Sequence, residues 1–130
     1  MNVYQTKENI MLINFTNHPY NNWLEQQKEA AKAYGKVIDL AFPQVSPYAT
    51  REELMELGDT YLEKILAYYP KAVLCQGEFG LVYYMVNQLM AKDIIVVSAC
   101  SERKAIEVKE NESILKKAVF EFVQFREYNK

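Results

Sequence analysis

Residues 10–23, IMLINFTNHPYNNW, decide the fold: a short apolar run ends in a polar loop, and the loop opens a helix. Ile10, Met11, Leu12, Ile13 and Phe15 follow one another too closely for a strand with one wet face, so the run predicts a central strand covered on both sides. Thr16-Asn17-His18 stop it. Pro19 pushes His18 away from the α region and the chain leaves the sheet extended; Asn22 then caps a helix with Glu25 at its third position. In an open parallel sheet such a loop lies at the carboxyl end of its strand. Beside a second loop, where strand order reverses, it forms a ligand crevice. The site is expected there.

Working outward, the first helix covers about residues 23–34, with Trp23, Gln27, Ala30, Ala31 and Tyr34 on one face, and Gly35 ends it. Residues 37–42 read as the second strand, and Pro43 and Pro47 make the next segment a stiff, extended connection. Thr50 and Glu53 form a capping box, after which Leu54, Leu57, Tyr61, Leu62 and Ile65 recur at helical spacing until Pro70. Residues 71–75 make a third strand, Gln76-Gly77-Glu78-Phe79-Gly80 a loop, and a helix continues to about residue 91. That helix is apolar almost all round, which points to a homodimer interface or to packing between the sheet and the terminal hairpin. Residues 93–98 form a fourth strand ending in a loop through Arg103. Residues 104–109 and 114–125 are two β-rich runs with no helix between them, so they pair antiparallel. The first nine residues read either as a frayed arm or as the entry to the first strand. The chain is thus an α/β domain, a Rossmann-like three-layer sandwich with a mainly parallel sheet and a C-terminal antiparallel β-hairpin.

Composition narrows the function. The 130 residues, 50% hydrophobic, fit one domain over residues 1–130. A net charge of -2 excludes a broad basic face and with it extended duplex nucleic acid; an anionic ligand is left to helix N-termini and a few Lys or Arg side chains. No apolar run is long enough for a membrane span and the N-terminus is polar, so no membrane association and a cytoplasmic location are expected. Cys75 and Cys100 are far apart and read as free thiols in a reducing compartment. With His18 the single histidine, no metal site is expected. The glycine-rich dinucleotide fingerprint, the Walker phosphate loop, CxxC and the G-x-S-x-G elbow are all missing, and no cofactor is expected.

Three strand-end loops then carry the candidate chemistry: Thr16-Asn17-His18, Gln76-Gly77-Glu78-Phe79, and Ser98 to Arg103. His18 is a candidate acid, base or phosphate donor, or else holds the loop. Glu78 stands at a helix start, where a carboxylate caps as readily as it catalyses. Gly77 serves a tight turn or the close approach of a ligand. Ser98, Ser101 and Arg103 offer hydroxyls and a charged fork to phosphate; alternatively Ser101 caps a turn and Arg103 pairs with Glu102. Cys100 is more simply a buried thiol than a nucleophile. Trp23 belongs to the core or an interface, or stacks on a base beside the crevice.

The strand INF followed by Thr16-Asn17-His18-Pro19, the loop with Ser98 and Ser101-Glu102-Arg103, and the closing run FVQFREY resemble the small Rossmann-like proteins of type III CRISPR systems. These are related to the CARF sensor domains, and some are ring nucleases. The resemblance implies a homodimer that binds a cyclic oligoadenylate across its two-fold axis. It also implies metal-independent cleavage, by attack of a ribose 2′-OH on the adjacent phosphate, a reaction that asks mainly for positioning and charge stabilisation. Carried over by position, Asn17 and His18 meet phosphate or ribose as the catalytic pair. Thr16, Gly77, Glu78, Phe79, Ser98, Ser101 and Arg103 would bind the ligand. The chain departs from such a site in being mildly acidic, with Glu78 and Glu102 in the same loops. Competing readings are a non-catalytic nucleotide sensor and a small nucleoside- or sugar-processing enzyme using Glu78.

Overall fold

Within the run 10–23, Leu12 to Thr16 are buried because their strand is flanked on both edges and both faces. In a computed structural model that describes residues 10–129, β1 (Met11–Phe15) pairs in parallel with β2 (Lys36–Asp39) on one side and β3 (Ala72–Cys75) on the other. β3 pairs in parallel with β4 (Ile95–Glu110), and β4 antiparallel with β5 (Ser113–Glu127), giving the order β2-β1-β3-β4-β5. The chain is therefore mixed α/β, with a mostly parallel sheet closed by an antiparallel hairpin. The reading of residues 1–9 lies outside the described residues.

Strand alternation splits the apolar residues between two cores. Ile13, Phe15, Val73, Cys75 and Val96 face α2 (Arg51–Leu66) and α3 (Phe79–Met90), whose Ile65, Leu81, Met85 and Leu89 are fully buried against them. Leu12, Ala72, Leu74 and Val97 face the opposite way, onto Trp23 and Ala31 at α1 (Glu25–Ala31). Each fully buried Leu, Ile or Val contributes about 1.5–3 kcal/mol. Losing either face would expose half of every central strand.

The α2 start is as predicted: the Thr50 hydroxyl accepts from the Glu53 N–H at 3.1 Å, and Glu53 Oε1 accepts from the Thr50 N–H at 3.0 Å. α1 differs. Asn22 does not cap it; the chain first makes a 3₁₀ turn over Tyr20–Asn22, and the N-cap is Leu24 with no side-chain bond. The Asp39 carboxylate accepts the Tyr20 N–H at 3.1 Å and the Trp23 indole donates to the His18 carbonyl at 2.9 Å, which together bend the chain before the helix begins. β2 is shorter than residues 37–42, yet its continuation still bonds to β1 and its loop, Leu40 N–H to Asn14 O and Phe42 N–H to Thr16 O.

Two further expectations need correction. β4 does not stop at Ser98. After β3 stops pairing at Val97, β5 alone continues to supply hydrogen-bond partners, so the chain stays extended to Glu110, with a register shift between Cys100 and Ser101. Ser98, Ser101 and Arg103 therefore sit within a strand rather than on a loop. The helix α3, for its part, packs on the sheet beside α2 rather than between the sheet and the hairpin. Tyr84 lies over Gly58 and donates its hydroxyl to Asp59, Met85 is buried, and of the helix's large apolar residues Phe79 and Tyr83 remain exposed, at 90% and 76%.

Candidate functional site

The carboxyl end of β1 is organised by a buried amide. Asn14, the polar residue inside the apolar run, is 1% exposed; its Nδ2 donates to Asp39 Oδ1 and to the His18 carbonyl, both at 2.8 Å. Its Oδ1 accepts from the Thr16 hydroxyl at 2.8 Å, and Thr16 Oγ1 accepts in turn from the His18 N–H at 3.0 Å. The His18 carbonyl takes a further bond from the Trp23 indole N–H at 2.9 Å. A satisfied buried network of this kind rigidifies the loop it holds. The backbone of His18 is tied down at both polar groups, while its side chain stays exposed.

The imidazole borders a cleft of about 340 Å³. The cleft opens at the carboxyl ends of β1 and β3, the neighbouring strands between which strand order reverses. Thr16 and His18 come from the β1 loop, Trp23 and Gln27 from the approach to α1 and its first turn, Gln76 from the end of β3, and Ala99, Ser101 and Phe120 from the hairpin. Among the described residues no Asp, Glu, Lys or Arg lines it. Its polar groups are the amides of Asn22, Gln27 and Gln76, two hydroxyls and the imidazole, and Trp23 and Phe120 are the aromatic residues of its wall. Gln76 Oε1 accepts from the Ala99 N–H at 2.5 Å, which leaves the two Nε2 hydrogens as donors.

A second cleft, about 260 Å³, lies toward α3 and is lined by Gly77, Phe79, Val82, Ser98 and Tyr128; Gln76 and Ala99 border both. Glu78 is committed to structure here: its carboxylate accepts from the Gly80 N–H at 2.9 Å and the Leu81 N–H at 2.8 Å, capping α3. The anion position at that helix start is thus filled by the chain's own charge. Gly77 is needed for space, since a Cβ would come within 2.5 Å of the Phe42 ring.

The predicted residues accordingly separate. Thr16, His18 and Ser101 meet at the first cleft, and Gly77, Phe79 and Ser98 at the second. Asn17 is exposed on the loop and borders neither. Arg103 is exposed on β4, two residues beyond Ser101 and opposite Phe120. Sequence motifs and periodicity do not point to Asn14, Gln27 or Phe120, and they make Asn22 a helix cap rather than a cleft residue. A lone Asn within a buried strand was the available signal for the first, because a buried polar group must find partners. No local pattern signals Phe120, which reaches the cleft only because β5 folds back on β4.

Burial pushes the Cys75 thiol up to about 12, so it remains neutral, and Tyr128, whose own ionisation burial also raises, donates its hydroxyl to the Cys75 carbonyl at 3.1 Å. Among the described residues no group of three or more His, Cys, Asp or Glu is placed to hold a metal ion, and no helix is long and apolar enough to cross a membrane.

A small α/β domain with a switch-point cleft is the class that fold and site define. Residues 10–126 match the model of the uncharacterized protein MJ1673 family, and the chain belongs to that family. It is similar to the uncharacterized protein MJ1673 of Methanocaldococcus jannaschii, 32% identical over 77 residues; the match covers 55% of this chain and 60% of that protein's length. No solved structure matches it.

Proposed function

We propose that the cleft between β1 and β3 binds a nucleotide, and that its ligand is a cyclic oligoadenylate held by a homodimer. The observation that carries the reading is the lining: side-chain amides to read a base edge and the exposed ring of Phe120 to stack on a base, with no carboxylate among the described lining residues to repel a phosphodiester. The strand order and the helices on both faces support treating the domain as a Rossmann-like three-layer sandwich, in which ligands sit at this crevice. Because the His18 backbone is pinned, its imidazole is presented with little loop freedom left to lose on binding.

Cleavage would use the same arrangement. The ribose 2′-OH attacks the adjacent phosphorus, its proton passing to the His18 imidazole. The bond to the 5′-oxygen breaks, that oxygen takes the proton back from the imidazolium, and a 2′,3′-cyclic phosphate is left. Asn17 beside His18 and Arg103 opposite Phe120 would steady the phosphate from the rim, Arg103 by a charge-assisted bond. Binding without turnover is the second reading, favoured by a cleft wall that has no Lys or Arg among its described residues. Glu78 acting as nucleophile or base is a weaker reading, since its carboxylate already holds two N–H groups.

Incubation with cyclic oligoadenylates, with calorimetry and then chromatography, tests this. We expect binding, linear products formed in the presence of EDTA, and no turnover of a 2′-deoxy ring that still binds. His18→Ala should lower the rate while leaving affinity in place. Failure of every cyclic oligonucleotide to bind would end the proposal, and turnover of the deoxy ring would end the mechanism.

A further inference from the structure

The hairpin is longer than the sheet needs. Beyond Val97, β4 and β5 run on as a two-stranded ribbon to the Glu110–Ser113 pair, and residues 101–118 are all exposed. A ribbon of two strands is at best marginally stable in water, and an open edge carrying apolar side chains is a template for another strand. Ile106, Val108, Ile114, Leu115, Phe120 and Val123 are between 36% and 66% exposed along it. Charge on the arm is mixed, Glu102 beside Arg103 and Lys104 on β4, Lys116 and Lys117 with Glu121 on β5. It offers no uniform basic surface to nucleic acid.

From this arm we infer that the chain forms a dimer by antiparallel pairing of its outer strand, β5 against β5 of a second copy, about a two-fold axis at Val119. A two-fold perpendicular to the sheet requires one residue to face its own copy, because only then do facing side chains share a face. Centred on Val119, Lys117 faces Glu121 of the second copy, and on the other side of the sheet Ala118 faces its Phe120, all on the side of the β5 bulge where alternation is regular. Centring on Lys117 or Glu121 sets like charges together. Centring on Ala118 or Phe120 sets Glu121 against Leu115 or Val119. Val119 is thus the centre within residues 117–121 that matches Lys with Glu and apolar with apolar. Lys117 makes no ion pair among the described residues, while Glu121 is held at 3.0 Å from Lys104 and so points along the face this register uses.

β5 is also the last strand of the sheet, so the pairing joins two five-stranded sheets into one. It moves the expected interface from α3, most of whose apolar surface is buried within the chain, to the hairpin. It also brings Ala118 of the second copy beside Phe120, a wall of the cleft. The inference concerns a surface, and it holds whatever ligand the cleft takes.

Sedimentation of the full chain tests it by exchange of charge. Wild type should be dimeric, and Lys117→Glu or Glu121→Lys should each raise the dimer Kd about tenfold or more, because two facing pairs change from opposite to like charge. An equimolar mixture of the two variants should recover the wild-type Kd as a heterodimer, since one chain then presents acid and the other base at both positions. The double variant should recover it as a homodimer. Recovery by mixing cannot come from misfolded chains. A wild type that stays monomeric at its solubility limit would overturn the inference. So would single variants that dimerise unchanged, as an interface on α3 or on the β4 edge would allow.

Discussion

The ends of β1 and β3 stand side by side and are built alike, each an apolar strand passing through a short polar loop into a helix, yet they spend their polar groups differently. At β3 the loop supplies its own cap: the Glu78 carboxylate accepts from the N–H groups of Gly80 and Leu81, and its charge is used on α3 instead of a ligand. At β1 the loop is held from outside, by Asn14 beneath it, Asp39 beside it and Trp23 beyond it, and α1 starts with no side-chain cap. The His18 side chain is left over. A loop whose backbone is satisfied by other elements keeps its side chains for a ligand, whereas a loop that caps its own helix does not.

Three changes break or sharpen that contrast. The largest effect is expected from Asn14→Leu, which removes three hydrogen bonds and leaves the Thr16 hydroxyl and the His18 carbonyl short of partners in a part-buried site. We expect a loss of about 2–4 kcal/mol in urea unfolding, together with weaker ligand binding because the loop is no longer pinned. Glu78→Ala should be milder, about 1 kcal/mol for a lost helix cap. Its sharper consequence is that ligand affinity at the β1 cleft should be unchanged; a large loss of affinity would show that the second loop is not merely structural. The smallest effect concerns Glu53, a second carboxylate used as a cap. Its backbone bond with Thr50 holds its pKa below the ordinary 4.5, so its contribution is present above that value and is lost as pH falls through the lower folded value. Glu53→Gln keeps the capping box but not the charge. A stability difference from wild type that shrinks as pH falls below the ordinary 4.5 is therefore expected, small because the group is exposed.

Much of the architecture was legible before any coordinates. The continuous apolar runs marked strands covered on both faces, TREE marked the start of α2, and two β-rich runs without an intervening helix marked the hairpin. Each of these signals is local, resting on side chains a few residues apart. The site was legible as a set of loops but not as a lining. Ser98 and Ser101, three residues apart, were grouped together, yet strand alternation sends them into different clefts.

By itself, then, the sequence determined which segments are strands or helices and that the end of β1 would be polar and carry the chain's histidine, because propensity, capping and burial patterns act over a single turn or a single pleat. The order of the strands, the extension of β4 to Glu110, the use of Glu78 as a cap and the arrival of Phe120 at the cleft were decided by tertiary structure. All four depend on which distant backbone or ring is near enough to accept a hydrogen bond or fill a wall, and a residue's neighbours in the chain do not carry that information.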